Sequence, residues 1–270
     1  MSGGPAVELR GAGLAFGPRT LWSGLDLGIR PGEFVAVLGP NGSGKSSLLK
    51  AVLGLLPLTH GEVLVGGRPV RRGSPDIGYV PQHRGLSVDA PLRGSDFVQL
   101  ALDGNRWGLP APRKYRRRVA ELLAAVEAEH LADQPVGLLS GGEQQRLRIA
   151  QALATDPRVL LCDEPLLSLD LRHQRRVVEL VDRRRREAGS AVLFVTHEIN
   201  PVLGVADRIL YLTEAGFRVG TVDEVMRSEV LTALYGSPIE VIRRPGQLVV
   251  LGAEDAAGAH HDHAGHGAHA

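Results

Sequence analysis

At 270 residues, with 43% hydrophobic side chains, the chain is long enough to bury one large α/β core or two small ones. Lys plus Arg number 31 against 30 for Asp plus Glu, a formal net charge of +1, which gives no electrostatic ground for a nucleic-acid partner. The single cysteine, Cys162, excludes an intrachain disulfide and suits a reducing compartment.

The N-terminal stretch lacks the basic start and long apolar run of a signal peptide. No segment reaches the roughly 18 apolar residues that a membrane span needs, so any crossing is expected of another chain. Val7 to Leu9, Leu25 to Ile29 and Glu62 to Val65 read as short alternating strands of an antiparallel subdomain. Phe34 to Leu38 is continuously apolar, and a helix is predicted over Ser47 to Gly54. Similar apolar runs recur at Val159 to Cys162, Ala191 to Val195 and Ile209 to Leu212. Runs without alternation are strands covered on both faces, and helical spacing lies between them, most clearly at Val119, Leu122, Leu123 and Val126. The expected fold class is therefore α/β, a largely parallel sheet with an antiparallel β subdomain beside it.

The Arg-rich stretch of about 86–145 interrupts this alternation and reads as an inserted helical subdomain. Its basic run Arg113, Lys114, Arg116, Arg117 and Arg118, like Arg183 to Arg186, reads as a solvated helix face. After Tyr211 the pattern weakens, although Ile239 to Ile242 and Leu248 to Leu251 flank a Pro-Gly turn and fit a hairpin. From Ala253 onward Ala, Gly and His dominate, too little apolar surface to order a segment. One domain over 1–252 with a disordered tail over 253–270 is expected.

Gly39-Pro-Asn-Gly-Ser-Gly-Lys-Ser46 follows an apolar strand and precedes a helix, the context a phosphate-binding P-loop requires. Its glycines turn successive N–H groups inward as an anion nest, and the next helix points its positive end at the phosphates. Gly39, Asn41, Gly42, Ser43, Gly44, Lys45, Ser46 and Ser47 are the candidate phosphate contacts. Lys45 should reach the β- and γ-phosphates, and the Ser46 hydroxyl should ligate Mg²⁺. Far downstream, the strand ending in Asp163 and Glu164 supplies one carboxylate for Mg²⁺ and another to polarise an attacking water. Two acids opening a turn before Pro165 would explain that run alone; the P-loop argues for the chemical reading.

Leu139-Ser-Gly-Gly-Glu-Gln-Gln-Arg146 resembles the signature motif of ABC-type ATPases. In order along the chain, Tyr79-Val-Pro-Gln82 looks like the Q-loop, Ser168-Leu-Asp170 like the D-loop, and Thr196-His197 like the switch histidine. The resemblance covers roughly residues 6–235 and implies ATP and Mg²⁺ as cofactors. It implies that Phe16 stacks on adenine, that Glu164 is the general base or water-positioner, and that His197 contacts the γ-phosphate. Gln82 would ligate Mg²⁺ with Ser46 and Asp163 and link the site to the helical subdomain. Ser140, Gly141 and Gly142 open a helix as a second anion site. In this family that site closes over nucleotide on a second copy, with Asp170 nearby, so the implied partner is a head-to-tail ATP-bound homodimer.

By the same resemblance the chain would work at the cytoplasmic face of the membrane with permease subunits, and indirectly with an extracytoplasmic substrate-binding protein. Importer subunit, exporter subunit and soluble ABC ATPase are the alternatives; the soluble members carry two ATPase units or a long coiled-coil insertion, which this chain does not. The body resembles zinc and manganese importer ATPases at Ile77-Gly-Tyr-Val-Pro-Gln-His83 and Leu234-Tyr-Gly-Ser-Pro-Ile239. It departs from them at Leu166-Leu167-Ser168, where many have a small polar-Gly pair. His260, His261, His263, His266 and His269 offer imidazole ligands for zinc at the C-terminal end. A purification tag or solubilising tail is the other explanation, though a tag would be an uninterrupted His run.

Overall fold

The computed structural model describes residues 4–82, 92–103 and 113–252. The chain opens with a long hairpin, β1 (Val7–Phe16) and β2 (Arg19–Ile29), then enters β3 (Phe34–Leu38) and helix α1 (Lys45–Val52). β4 (His60–Val65) and the short β5 (Arg68–Pro69) return to the hairpin before β6 (Ile77–Val80). Helices α2 (Gly94–Asp103), α3 (Arg113–Ala125) and α4 (Gly141–Ala152) pack on one another, and β7 (Val159–Asp163), α5 (Leu171–Ala188) and β8 (Ala191–Val195) follow. The remainder is β9 (Arg208–Thr213), β10 (Gly216–Gly220), α6 (Val222–Val225), α7 (Ser228–Tyr235) and a hairpin of β11 (Ile239–Arg244) and β12 (Gln247–Gly252).

The central sheet has the order β10-β9-β3-β8-β7-β6, all parallel except β10, which pairs antiparallel with β9. A second, antiparallel sheet runs β2-β1-β4-β5. The central strands are apolar throughout because both faces are covered. Phe34, Ala36, Leu160, Cys162, Val192 and Phe194 face a core shared with α4 and α5, whereas Val35, Val37, Leu161, Leu193 and Val195 face α1 and the antiparallel sheet. Every one of these residues is at most 1% exposed. Among the described residues, no helix is long and apolar enough to cross a membrane.

The expected α/β class, with an antiparallel sheet and helices beside a largely parallel one, is the observed one. The boundaries differ in places. The opening strands extend well beyond Val7 to Leu9 and Leu25 to Ile29, because irregular register between Leu9 and Ala15 breaks the alternation without breaking the pairing. Helix α1 begins at Lys45 rather than Ser47, since Gly44 in the left-handed region (φ 94°) leads the P-loop directly into the first helical turn. The helix opened at Gly141 runs on to Ala152, past the expected limit of about 145. Strand β10 and helices α6 and α7 lie where the sequence pattern weakens. His83, the stretch around 104–112 and the tail from Ala253 lie outside the described residues.

Candidate functional site

Strand β3 delivers the chain to Gly39, whose backbone (φ 138°) leaves no room for a side chain: a Cβ there would sit 1.9 Å from the Leu212 carbonyl oxygen. Glycine alone lets the loop turn tightly against the neighbouring β9. Lys45, at the first position of α1, folds its ammonium back to donate to the Gly39 carbonyl at 2.7 Å and the Pro40 carbonyl at 2.9 Å. Burial pulls its pKa below the usual lysine value, with Glu164 and Asp163 working the other way.

The next residue on α1, Ser46, donates its hydroxyl to Asp163 Oδ1 at 3.0 Å, and the Tyr79 hydroxyl donates to Asp163 Oδ2 at 3.3 Å. Tyr79 reaches that carboxylate because β6 and β7 are parallel neighbours in register, Tyr79 opposite Leu161. Asp163 is buried, which raises its pKa above the usual carboxylate range; the bonds from Ser46 and Tyr79 offset part of that shift. The Tyr79 phenol is pushed up to about 12, first by burial and then by the adjacent carboxylate. Ser46, Asp163 and Gln82 line one cavity of about 450 Å³ together with Lys50 and Arg148. Mg²⁺ fits this donor set: hard oxygens, a buried carboxylate that benefits from a cation, and space for the waters Mg²⁺ retains.

Glu164 adopts a left-handed backbone (φ 49°), uncommon for a residue with a side chain and a mark of functional strain where it recurs. Its amide still donates to the Val195 carbonyl at 3.1 Å, which fixes the turn to β8. The carboxylate is then gripped from two sides. Gln82 Nε2 donates to Oε2 at 2.8 Å, and His197 Nε2 lies 2.6 Å from Oε1 on the other side. Residues from the ends of three different strands thus converge on one carboxylate. Phe16, at the end of β1 and 51% exposed, shares a cavity of about 390 Å³ with Asn41, Gly42, Gly44, Lys45, Ser46, Ser47 and Glu164. Ser43 is buried in the loop.

Ser140, Gly141, Gly142 and Asp170 line neither of these two cavities. Ser140 is the N-cap of α4 and forms a reciprocal box with Glu143: the Ser140 amide and hydroxyl donate to Glu143 Oε2 at 2.8 and 2.7 Å. The Ser140 hydrogen bonds hold the Glu143 carboxyl below its usual value. Asp170 caps α5, its Oδ1 accepting from the amides of Arg172 and His173 at 2.9 Å, and its Oδ2 lies 2.8 Å from His173 Nδ1. The backbone bond from His173 is the main cause of the lowered Asp170 pKa.

Three residues of this neighbourhood escaped the sequence reading. Arg19 and Leu21 line the Phe16 cavity, and only their position just past the aromatic residue hinted at it. His173 packs its ring against Gly142, where a Cβ would come within 2.6 Å of it. No spacing rule connects those two positions. Among the described residues no group of three or more His, Cys, Asp or Glu is arranged for a metal ion, and His260, His261, His263, His266 and His269 lie outside them.

Residues 22–167 match the sequence model of the ABC transporter family. The chain is 35% identical over 231 residues to the zinc import ATP-binding protein ZnuC of Yersinia pestis, an alignment covering 86% of this chain and 85% of that protein. It is also 35% identical over 233 residues to ZnuC 1 of Hahella chejuensis, covering 86% and 84%. Among solved structures, an inward-facing ABC transporter described as metal-chelate type superposes with a TM-score of 0.77 at 27% identity, over 92% of this chain and 96% of that one. A dimeric bacterial ABC transporter cassette gives 0.68 at 30% identity, over 80% and 98%.

Proposed function

Because the chain belongs to the ABC transporter family, as an ATP-binding and ATP-hydrolysing subunit, we propose that it works as a head-to-tail pair that energises a separate permease importing a divalent transition metal. Its place would be peripheral, on the cytoplasmic face of the membrane, with an extracytoplasmic binding protein handing substrate to the permease. The working unit is a domain over 1–252 that includes the helical subdomain of about 86–145. The observation that carries the chemistry is the Glu164 carboxylate held between His197 and Gln82 at the mouth of the P-loop cavity.

Lys45 leaves the Gly39 and Pro40 carbonyls to meet the β- and γ-phosphates. Ser46, Asp163 and Gln82 would hold Mg²⁺, which when bound neutralises phosphate charge. Phe16 stacks on the adenine. Glu164 orients the attacking water and takes its proton, and His197 turns from Glu164 towards the γ-phosphate. Ser140, Gly141 and Gly142, which line neither cavity of the site, would serve nucleotide on the partner copy, with Asp170 beside them. ATP is then the glue of the pair.

Zinc, with manganese as the neighbouring choice, is favoured by the ZnuC relatives and by the histidines of the tail. A metal chelate is the second reading, favoured by the metal-chelate type structural neighbour. Cells lacking this chain should accumulate less zinc when external zinc is scarce. Wild type should restore it, and Glu164→Gln should not. In purified form Glu164→Gln should bind Mg-ATP and accumulate as a dimer, with hydrolysis lowered about 10²–10⁴-fold, the usual contribution of a general base. Unchanged cellular zinc and manganese would remove the metal reading; a monomeric Glu164→Gln at saturating Mg-ATP would remove the paired site.

A further inference from the structure

We propose that Arg19 is a nucleotide-binding residue that Glu214 holds in reserve, the guanidinium exchanging the Glu214 carboxylate for a phosphate oxygen when nucleotide enters. The proposal rests on reading the P-loop cavity as the nucleotide site. Strand β2 begins at Arg19, just past Phe16, and the side chain lies against the P-loop in the cavity lining it shares with Phe16. Its Nη2 donates to Glu214 Oε1 at 2.5 Å and to the Gly42 carbonyl at 3.3 Å.

Arg19 forms a partition between two spaces. It lines the cavity of about 390 Å³ that holds Lys45 and Ser46, and also a smaller one of about 160 Å³ that Glu214 lines. Glu214 reaches only the second. A rotation of the long Arg19 side chain therefore exchanges one side for the other without moving backbone. Among the described residues of the larger lining, Lys45 and Arg19 are the cations and Glu164 the anion. A nucleotide's phosphates would meet Glu164 there, and a second cation offsets that repulsion.

The exchange is easy on the protein's side. The Arg19 and Glu214 side chains are 56% and 76% exposed, and such open ion pairs contribute little. A guanidinium–phosphate bond is charge-assisted and geometrically matched, so it outcompetes the surface carboxylate. Glu214 thus keeps Arg19 at the mouth of the cavity and competes weakly with nucleotide.

The test measures binding of a fluorescent ADP analogue with Mg²⁺ to wild type, Arg19→Ala, Glu214→Gln and Lys45→Ala; ADP avoids turnover. Arg19→Ala should weaken binding about five- to tenfold, the loss of one charge-assisted bond. Glu214→Gln should tighten it about two- to threefold, since a competitor is gone. Both effects should shrink with added salt. Both positions are exposed, so both variants should fold. If Glu214→Gln weakens binding as Arg19→Ala does, the pair is a structural clasp on the P-loop and the proposal fails; it fails equally if either variant binds like wild type. Binding indifferent to Lys45→Ala would instead bring down the nucleotide reading of the cavity, and this proposal with it.

Discussion

Replacing Gly142 by alanine tests whether the signature helix and the D-loop helix are mechanically joined. The added Cβ would stand 2.6 Å from His173 Cδ2 and 3.1 Å from Cγ, in a region where Gly142 is buried. Ordinary carbon contacts are about 3.5–4 Å, so roughly 1 Å of displacement is required. The His173 ring has to give way, and in doing so it leaves Asp170 Oδ2, now 2.8 Å from its Nδ1. Overpacking of this kind costs about 1–3 kcal/mol. In a domain of this size that is a fall in Tm of about 2–4 °C for each kcal/mol. Differential scanning fluorimetry on four proteins (wild type, Gly142→Ala, His173→Ala and the double variant) gives the coupling as a double-mutant cycle. The double variant should recover most of the Tm that Gly142→Ala loses, because the clashing ring is gone. If the two losses simply add, Gly142 and His173 do not press on each other and the proposed coupling of the two helices is wrong.

Lys45→Ala should keep the fold and lose ATP hydrolysis, since among the described residues its ammonium bonds two P-loop carbonyls and no other group; normal turnover in a folded variant would remove the P-loop assignment. Asp163→Asn should raise Tm at neutral pH without Mg²⁺ or nucleotide, yet abolish Mg-dependent hydrolysis. The sign follows from its raised pKa: stability present with the proton bound, below the unfolded carboxylate value, is lost as pH rises through the folded one, and Asn avoids that loss. A lower Tm for Asp163→Asn would show that the carboxylate stabilises the empty site. A chain ended at Gly252 should hydrolyse ATP at the full rate and lose most zinc binding by calorimetry. In the full chain, zinc should leave as pH falls through about 6.5, the ordinary His value; a truncated chain that binds zinc equally well would make the tail a bystander.

Much of this molecule is written in short-range pattern. Phe34 to Leu38 and Ala191 to Val195 are apolar at every position, and such runs declare a strand buried on both faces whatever surrounds them. The P-loop is legible for the same local reason, because its glycines and Lys45 act within a single turn of chain. Strand β6 was harder, as Gly78 and Pro81 disguise a short strand in what reads as a motif. Helix α4 is harder still. Gln144, Gln145 and Arg148 are buried on it, so its apolar stripe is weak. Gln144 is tolerated there because its amide donates to the Val136 and Leu139 carbonyls at 3.1 and 3.2 Å, partners that only the folded loop supplies. Beyond Thr213, β10, α6 and α7 are too short for periodicity to show.

By itself the sequence determined the α/β class and the residue types available for phosphate and Mg²⁺ chemistry, along with their order, because each of those depends on neighbours a few positions away. Only the tertiary structure decided which of them meet. Glu164 reaches Gln82 and His197 because β6, β7 and β8 lie side by side with their ends level. Arg19 reaches Glu214 because the first hairpin folds back beside the β9–β10 turn, and His173 reaches Gly142 because α5 lies against α4. Contacts between residues so far apart in the chain are set by sheet order and helix packing, which no local spacing records.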